Sequence, residues 1–138
     1  MIVGIGGDIF EVARMRCRLE EPENGFKSEI FTPLEISYCE SKRHPERHYA
    51  ARFAAKEALF KALSSGMIDG MAWRDVEVRN DSQGRPYLVL TGKTKESIEL
   101  QGVGRVLVTL SHTGEWAMAN VVLESRDTEN RTQGKRDG

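Results

Sequence analysis

Residues 50–63 constrain this chain more than any other stretch. Ala50, Ala51, Ala54, Ala55, Ala58 and Ala62 run through and just ahead of the segment RFAAKEALFKAL, Arg52 to Leu63. They give it strong helix propensity and a surface of small side chains on which another element can pack closely. The pattern predicts a long helix from about Pro45 to Ser64, with Gly66 placed to end it. At a spacing of four, Phe53, Glu57 and Lys61 share one face, with Arg52 and Lys56 adjacent. One reading is a solvated helix whose Glu57–Lys61 pair contributes about 0.2–0.5 kcal/mol. Arg52 and Lys56, like charges four apart, oppose it by a similar amount. From Lys42 to Lys61 there are six Lys/Arg against two Glu, with His44 and His48 besides. That local excess of positive charge sits in a chain of 138 residues whose formal net charge is only -1. The other reading is therefore that these cations gather around an anionic ligand such as a polyphosphate.

The remaining elements point to an α+β fold with a mainly antiparallel sheet packed on the long helix. Met1 to Gly7 reads as a buried strand with Asp8 at its C-terminal end, and Ile9 to Glu20 as a helix. Pro22 to Gly25 is turn chemistry. Thr32-Pro33-Leu34-Glu35 is a helix start, with Thr as N-cap, Pro first and Glu third. Val76 and Val78 alternate with polar residues, Asn80 to Gly84 reads as a turn, and Tyr87 to Leu90 returns as the hairpin partner. Thr91 to Gln101 is a further helix, ended by Gly102. Arg105 to Leu110 and Trp116 to Leu123 are final strands, apolar on both faces. An antiparallel strand ordinarily leaves one face to water, so a helix or another subunit is expected to cover the second.

The predicted domain spans 1–123, a length that buries a sufficient core without disulfide or metal staples. Residues 124–138 hold no apolar side chain, so they are expected to be a disordered tail. No apolar run approaches the roughly 18 residues of a membrane span, and no secretory signal precedes the first strand. Cys17 and Cys39 form neither a CxxC nor a Cys/His cluster and read as reduced thiols, which places the protein in the cytoplasm. The balanced charge argues against a nucleic-acid coat protein.

Three pieces carry chemistry. Glu57 and Lys61 are the first. Asp8 is the second, either a helix N-cap or, together with Glu57, a ligand for Mg²⁺, which takes one or two carboxylates plus phosphate oxygens and water. Ser111-His112-Thr113 at a strand end is the third: a phosphate contact, a general base at His112, or plain structure. Gly4, Gly6 and Gly7 fit no dinucleotide fingerprint, and no GxSxG elbow is present.

Together these residues resemble the holo-acyl-carrier-protein synthase family, the small phosphopantetheinyl transferases. The resemblance covers about Met1 to Leu123. It runs through Gly6-Gly7-Asp8, Arg14, Phe31-Thr32, RFAAKEALFKAL, Trp73-Arg74-Asp75-Val76-Glu77-Val78, Gly84-Arg85-Pro86 and Leu110-Ser111-His112-Thr113. Where the family writes Gly after KAL, this chain has Ser64-Ser65-Gly66.

The resemblance implies the 4′-phosphopantetheinyl transferase fold and a homotrimer with active sites between protomers. The implied reaction is Mg²⁺-dependent transfer of the 4′-phosphopantetheine arm of coenzyme A to a serine of apo-acyl carrier protein. Its other product is adenosine 3′,5′-bisphosphate, and it serves fatty acid biosynthesis. The implied roles are Asp8 and Glu57 for the metal, Lys61 for the departing phosphate, and Glu57, directly or through a metal-bound water, or else His112 for the serine proton. Arg52, the basic residues 42–47, Lys61, Ser111, His112 and Thr113 would contact the nucleotide. Arg14 and Arg18, with Met15 between them, would form a basic and apolar strip for the acidic carrier protein. A Mg²⁺-dependent nuclease built on Asp8 and Glu57, and a non-catalytic polyanion-binding module, are the competing readings.

Overall fold

Glycine and alanine set the central contact of the molecule, strand β1 (Ile2–Glu11) lying on helix α4 (Pro45–Ala62). A methyl group at Gly6 would meet the Ala58 carbonyl oxygen and stand 2.7 Å from the Ala62 nitrogen; one at Gly4 would meet the Ala62 carbonyl. Strand and helix backbones can approach this closely only because neither side carries bulk at the seam. The structure, a computed structural model, describes residues 1–21 and 25–126.

β1 pairs antiparallel with β5 (Trp116–Ser125), which pairs antiparallel with β4 (Val103–His112), giving a three-stranded sheet in the order β1-β5-β4. α4 covers its inner face, where Ala117, Ala119, Val121 and Leu123 are buried. A separate hairpin, β2 (Val76–Asn80) and β3 (Pro86–Leu90), stands beside it. Helices α1 (Val12–Glu20), α2 (Phe26–Ile30) and α3 (Pro33–Glu40) pack around the N-terminal half of α4, and α5 (Gly92–Leu100) follows the hairpin. The sheet-side core joins Leu59, Val76, Val121 and Leu123, and a second core joins Val12, Met15, Phe31, Tyr49 and Phe53.

The predicted α+β class, the hairpin and the two final strands match this architecture. Thr32 and Glu35 form the complete capping box: Glu35 N–H donates to Thr32 Oγ1 (3.2 Å) and Thr32 N–H to Glu35 Oε1 (3.0 Å).

Elsewhere the chain departs from the expectation. β1 continues through Asp8 to Glu11, because the ladder to β5 runs on to Glu11↔Trp116 and overrides the local helical pattern. The first helix therefore begins at Val12 instead of Ile9. β1 is also not buried on both sides: Ile5 is 72% and Ile9 59% exposed. With Leu107 and Met118 they make an apolar outer face that no described element of the chain covers. α4 stops at Ala62, and the left-handed Gly66 closes a turn beyond it.

β5 reaches Ser125, two residues past the expected domain end, since Ser125 N–H donates to Met1 O (2.8 Å). The rest of the predicted tail beyond Arg126, and residues 22–24 of the predicted turn, lie outside the described residues. Cys17 is exposed and Cys39 buried, both free. No helix among the described residues is long and apolar enough to cross a membrane.

Candidate active site

The close seam of β1 and α4 brings Asp8, Glu57 and Lys61 together. Asp8 lies inside the strand, paired across to Ala119, so its side chain turns toward α4 and caps nothing. The N-cap of α1 is Glu11, without a side-chain bond. Lys61 Nζ donates to Asp8 Oδ1 (2.8 Å) and to Gly7 O (3.2 Å). The pairing expected within the helix, Glu57 with Lys61, gives way to one across the seam. The short bond to Asp8 raises the Lys61 ammonium above its usual range. Glu57 is pushed up from the usual glutamate value, first by burial and then by the charge of Asp8. Two carboxylates close enough to repel one another are a hard-oxygen donor set. Among the described residues no group of three or more His, Cys, Asp or Glu could hold a metal. Asp8 and Glu57 are a donor pair of the kind that Mg²⁺ takes alongside phosphate oxygens and water.

A second cluster lies elsewhere. His112, on the inner face at the end of β4, packs its ring against His48 with centroids 4.9 Å apart. Tyr38, His48, Arg52, Asn80, Gly84, Pro86 and His112 line one cavity of about 150 Å³. Burial pushes the His48 imidazolium down to about 4, helped by the charges of His112 and Arg52. His112 is also lowered, by burial and then by Arg47. Arg52 is 3% exposed; its guanidinium lies over the Tyr38 ring at 3.8 Å and donates to Asn80 Oδ1 (2.7 Å). Its buried Nε–H has no partner among the described residues. A cavity lined by a guanidinium and two imidazoles suits an anion.

Several expected site residues fall apart from these clusters. Ser111 pairs with Met118, and both are exposed, so its hydroxyl is on the opposite face of β4 from His112. Thr113 Oγ1 accepts from Glu115 N–H and Trp116 N–H (both 3.1 Å); it closes the β4–β5 turn. Met15 is fully buried and cannot meet a partner protein, because its position on α1 faces Tyr49 and Phe53 in the core. Arg14 and Arg18 remain outside, over the rings of Phe10 and Phe26. Lys56, read from sequence as part of a cationic surface, is fully buried and bonded to Glu35 (2.8 Å). Asn80 was not anticipated; only its place at the start of a hairpin turn pointed to it.

An α+β protein with two acids and a lysine on one helix–strand seam, and an anion cavity on the other side of the same helix, is the class this geometry defines. The family model for the 4′-phosphopantetheinyl transferase superfamily matches residues 4–121. The holo-(acyl-carrier-protein) synthase of Geobacter sp. (strain M21) is 47% identical over 124 residues, covering 90% of this chain and 99% of that protein. The synthase of Neisseria meningitidis superposes with a TM-score of 0.82 at 31% identity, over 91% of this chain and all of the other. That of Bacillus anthracis, solved in complex with CoA (3′,5′-ADP), gives 0.74 at 36% identity, over 91% and 98%. The chain belongs to the 4′-phosphopantetheinyl transferase superfamily, in its holo-(acyl-carrier-protein) synthase family.

Proposed function

We propose that this protein transfers the 4′-phosphopantetheine arm of coenzyme A to a serine of apo-acyl carrier protein, supplying holo-carrier for fatty acid biosynthesis. The observation that carries the proposal is the meeting of Asp8, Glu57 and Lys61 at the β1–α4 seam. In the reaction, the serine Oγ forms a bond to the phosphorus that carries the pantetheine. The bond from that phosphorus to the bridging oxygen breaks, and adenosine 3′,5′-bisphosphate departs with the electron pair.

Asp8 and Glu57 would hold Mg²⁺, whose charge, once bound, offsets that of the pyrophosphate. Lys61, held on Asp8 in the free chain, is within reach of the same phosphates and stabilises the leaving oxygen. Glu57, directly or through a metal-bound water, would take the serine proton. Arg52, His48 and His112 hold the nucleotide end, with the exposed Lys42 nearby, its ammonium 4.6 Å from the centre of the Tyr38 ring. Arg14 and Arg18 dock the acidic carrier.

At 3.6 residues per turn, Glu57 and Lys61 stand roughly 140° and 180° around α4 from Arg52. One nucleotide cannot span both sides of a helix about 10–12 Å thick without wrapping it. That separation supports a reading in which a neighbouring copy supplies the nucleotide side of each acid cluster. The apolar outer face of Ile5, Ile9, Leu107 and Met118 is the surface that such copies cover, and a homotrimer with active sites between protomers satisfies both requirements.

The test is incubation with coenzyme A, Mg²⁺ and apo-acyl carrier protein, followed by intact-mass analysis of the carrier. The expected result is a mass gain of one phosphopantetheine arm, reduced at least about a hundredfold in rate by Glu57→Gln. An unmodified carrier alongside degraded plasmid would favour the nuclease. Coenzyme A binding with no transfer by either protein would leave a binding module.

A further inference from the structure

Among the described residues the hairpin that walls the anion cavity has no strand neighbour: β2 and β3 form a sheet of two. Its outer edge is held instead by side chains. Lys56 Nζ donates to Val76 O and to Trp73 O (3.2 Å), and Glu35 Oε2 accepts from Val78 N–H (2.9 Å). Lys56 and Glu35 are themselves joined at 2.8 Å, both fully buried. The ion pair thus gives β2 one donor and one acceptor, what an adjoining strand would have supplied. One turn before Lys56 on α4, Arg52 grips the next outward residue of the same edge, Asn80. Asn80, Gly84 and Pro86 of this hairpin all line the cavity; Glu35 and Lys56 do not.

We propose that the buried Glu35–Lys56 pair is a positioning device that sets the hairpin, and through Asn80 and Arg52 the shape of the nucleotide cavity. It acts on coenzyme A affinity without touching coenzyme A. Stability alone would not require an ion pair here, because a buried pair can be replaced by well-packed apolar residues with little loss or even a gain. An apolar pair, however, cannot register a strand edge that presents one carbonyl and one N–H. The nucleotide role of the cavity rests on the function proposed above.

The test uses the full chain with the double substitution Glu35→Leu/Lys56→Met, and Glu35→Gln as a milder second variant. Amide hydrogen exchange at Val78, held by Glu35, and at Arg79, in the ladder to Tyr87, reads the hairpin with no ligand present. Calorimetry with coenzyme A and steady-state kinetics read the cavity. The expected result is at least tenfold faster exchange at both amides in whichever variant folds. Coenzyme A Kd and KM should rise about tenfold, while the KM for carrier protein stays within twofold. Unchanged exchange at Val78 and Arg79 would overturn the positioning role. So would faster exchange with coenzyme A affinity kept, provided the unsubstituted protein binds coenzyme A. Faster exchange in a protein that never bound coenzyme A would instead sink the functional proposal and leave the hairpin anchor standing.

Discussion

Glu57 carries the tension between stability and chemistry on one carboxyl. Its raised value means that the folded state binds this proton more tightly than the unfolded chain does. Its contribution to stability is complete below the ordinary glutamate value of 4.5 and lost as pH rises through the raised folded one. At neutral pH the ionised group therefore weakens the fold, and Glu57→Gln is expected to raise Tm by about 1–3 °C. That gain should shrink toward nothing below about pH 4.5, while transfer is lost at every pH. Thermal melts of both proteins at pH 4 and pH 7.5 check it. The same residue illustrates how far sequence reaches. Its place beside Lys61 on α4 follows from spacing, but the ammonium's choice of Asp8 depends on a strand 53 residues away. Lys56 misleads for a similar reason. As one of two lysines in a helix rich in cations it reads as solvated, and nothing local to it shows that Glu35, 21 residues earlier, will take its ammonium on the capping oxygen Oε1.

Among the elements, those specified by near neighbours are the ones that sequence predicts. Thr32 to Glu35 is self-contained, and the β2–β3 hairpin is fixed by alternation and by Asp81, which accepts from Gln83 N–H (2.8 Å) and Arg85 N–H (2.9 Å). The long β1 is not, since nothing local tells Asp8 to Glu11 that β5 will pair with them. The seam between β1 and α4 is set by what glycine lacks. A methyl at Gly6 overlaps the helix backbone, and overpacking of this kind costs about 1–3 kcal/mol or more. Gly6→Ala should therefore lower the urea midpoint accordingly. It should also lose most of its transfer activity, since β1 must lift Asp8 away from Lys61. Retained activity with lowered stability would mean that the acid cluster tolerates a wider seam.

On the scale of the whole molecule, α4 separates the acid cluster from the anion cavity, and in the proposed homotrimer a contact over the apolar face of Ile5, Ile9, Leu107 and Met118 would rejoin them between copies. Glu57→Gln and Arg52→Ala should each be nearly inactive alone. After the two are mixed, dissociated and reassembled, some sites pair an intact acid cluster with an intact cavity. Transfer should return to roughly a quarter of the unsubstituted rate, the random-mixing limit, as followed by carrier mass. No recovery on mixing would place both halves of the site in one chain. The helix that walls one half-site from the other also divides the chain genetically. With sites shared between copies as proposed, two alleles, each inactive alone, should complement one another in the same cell when their lesions lie on opposite sides of α4, and not when they lie on the same side.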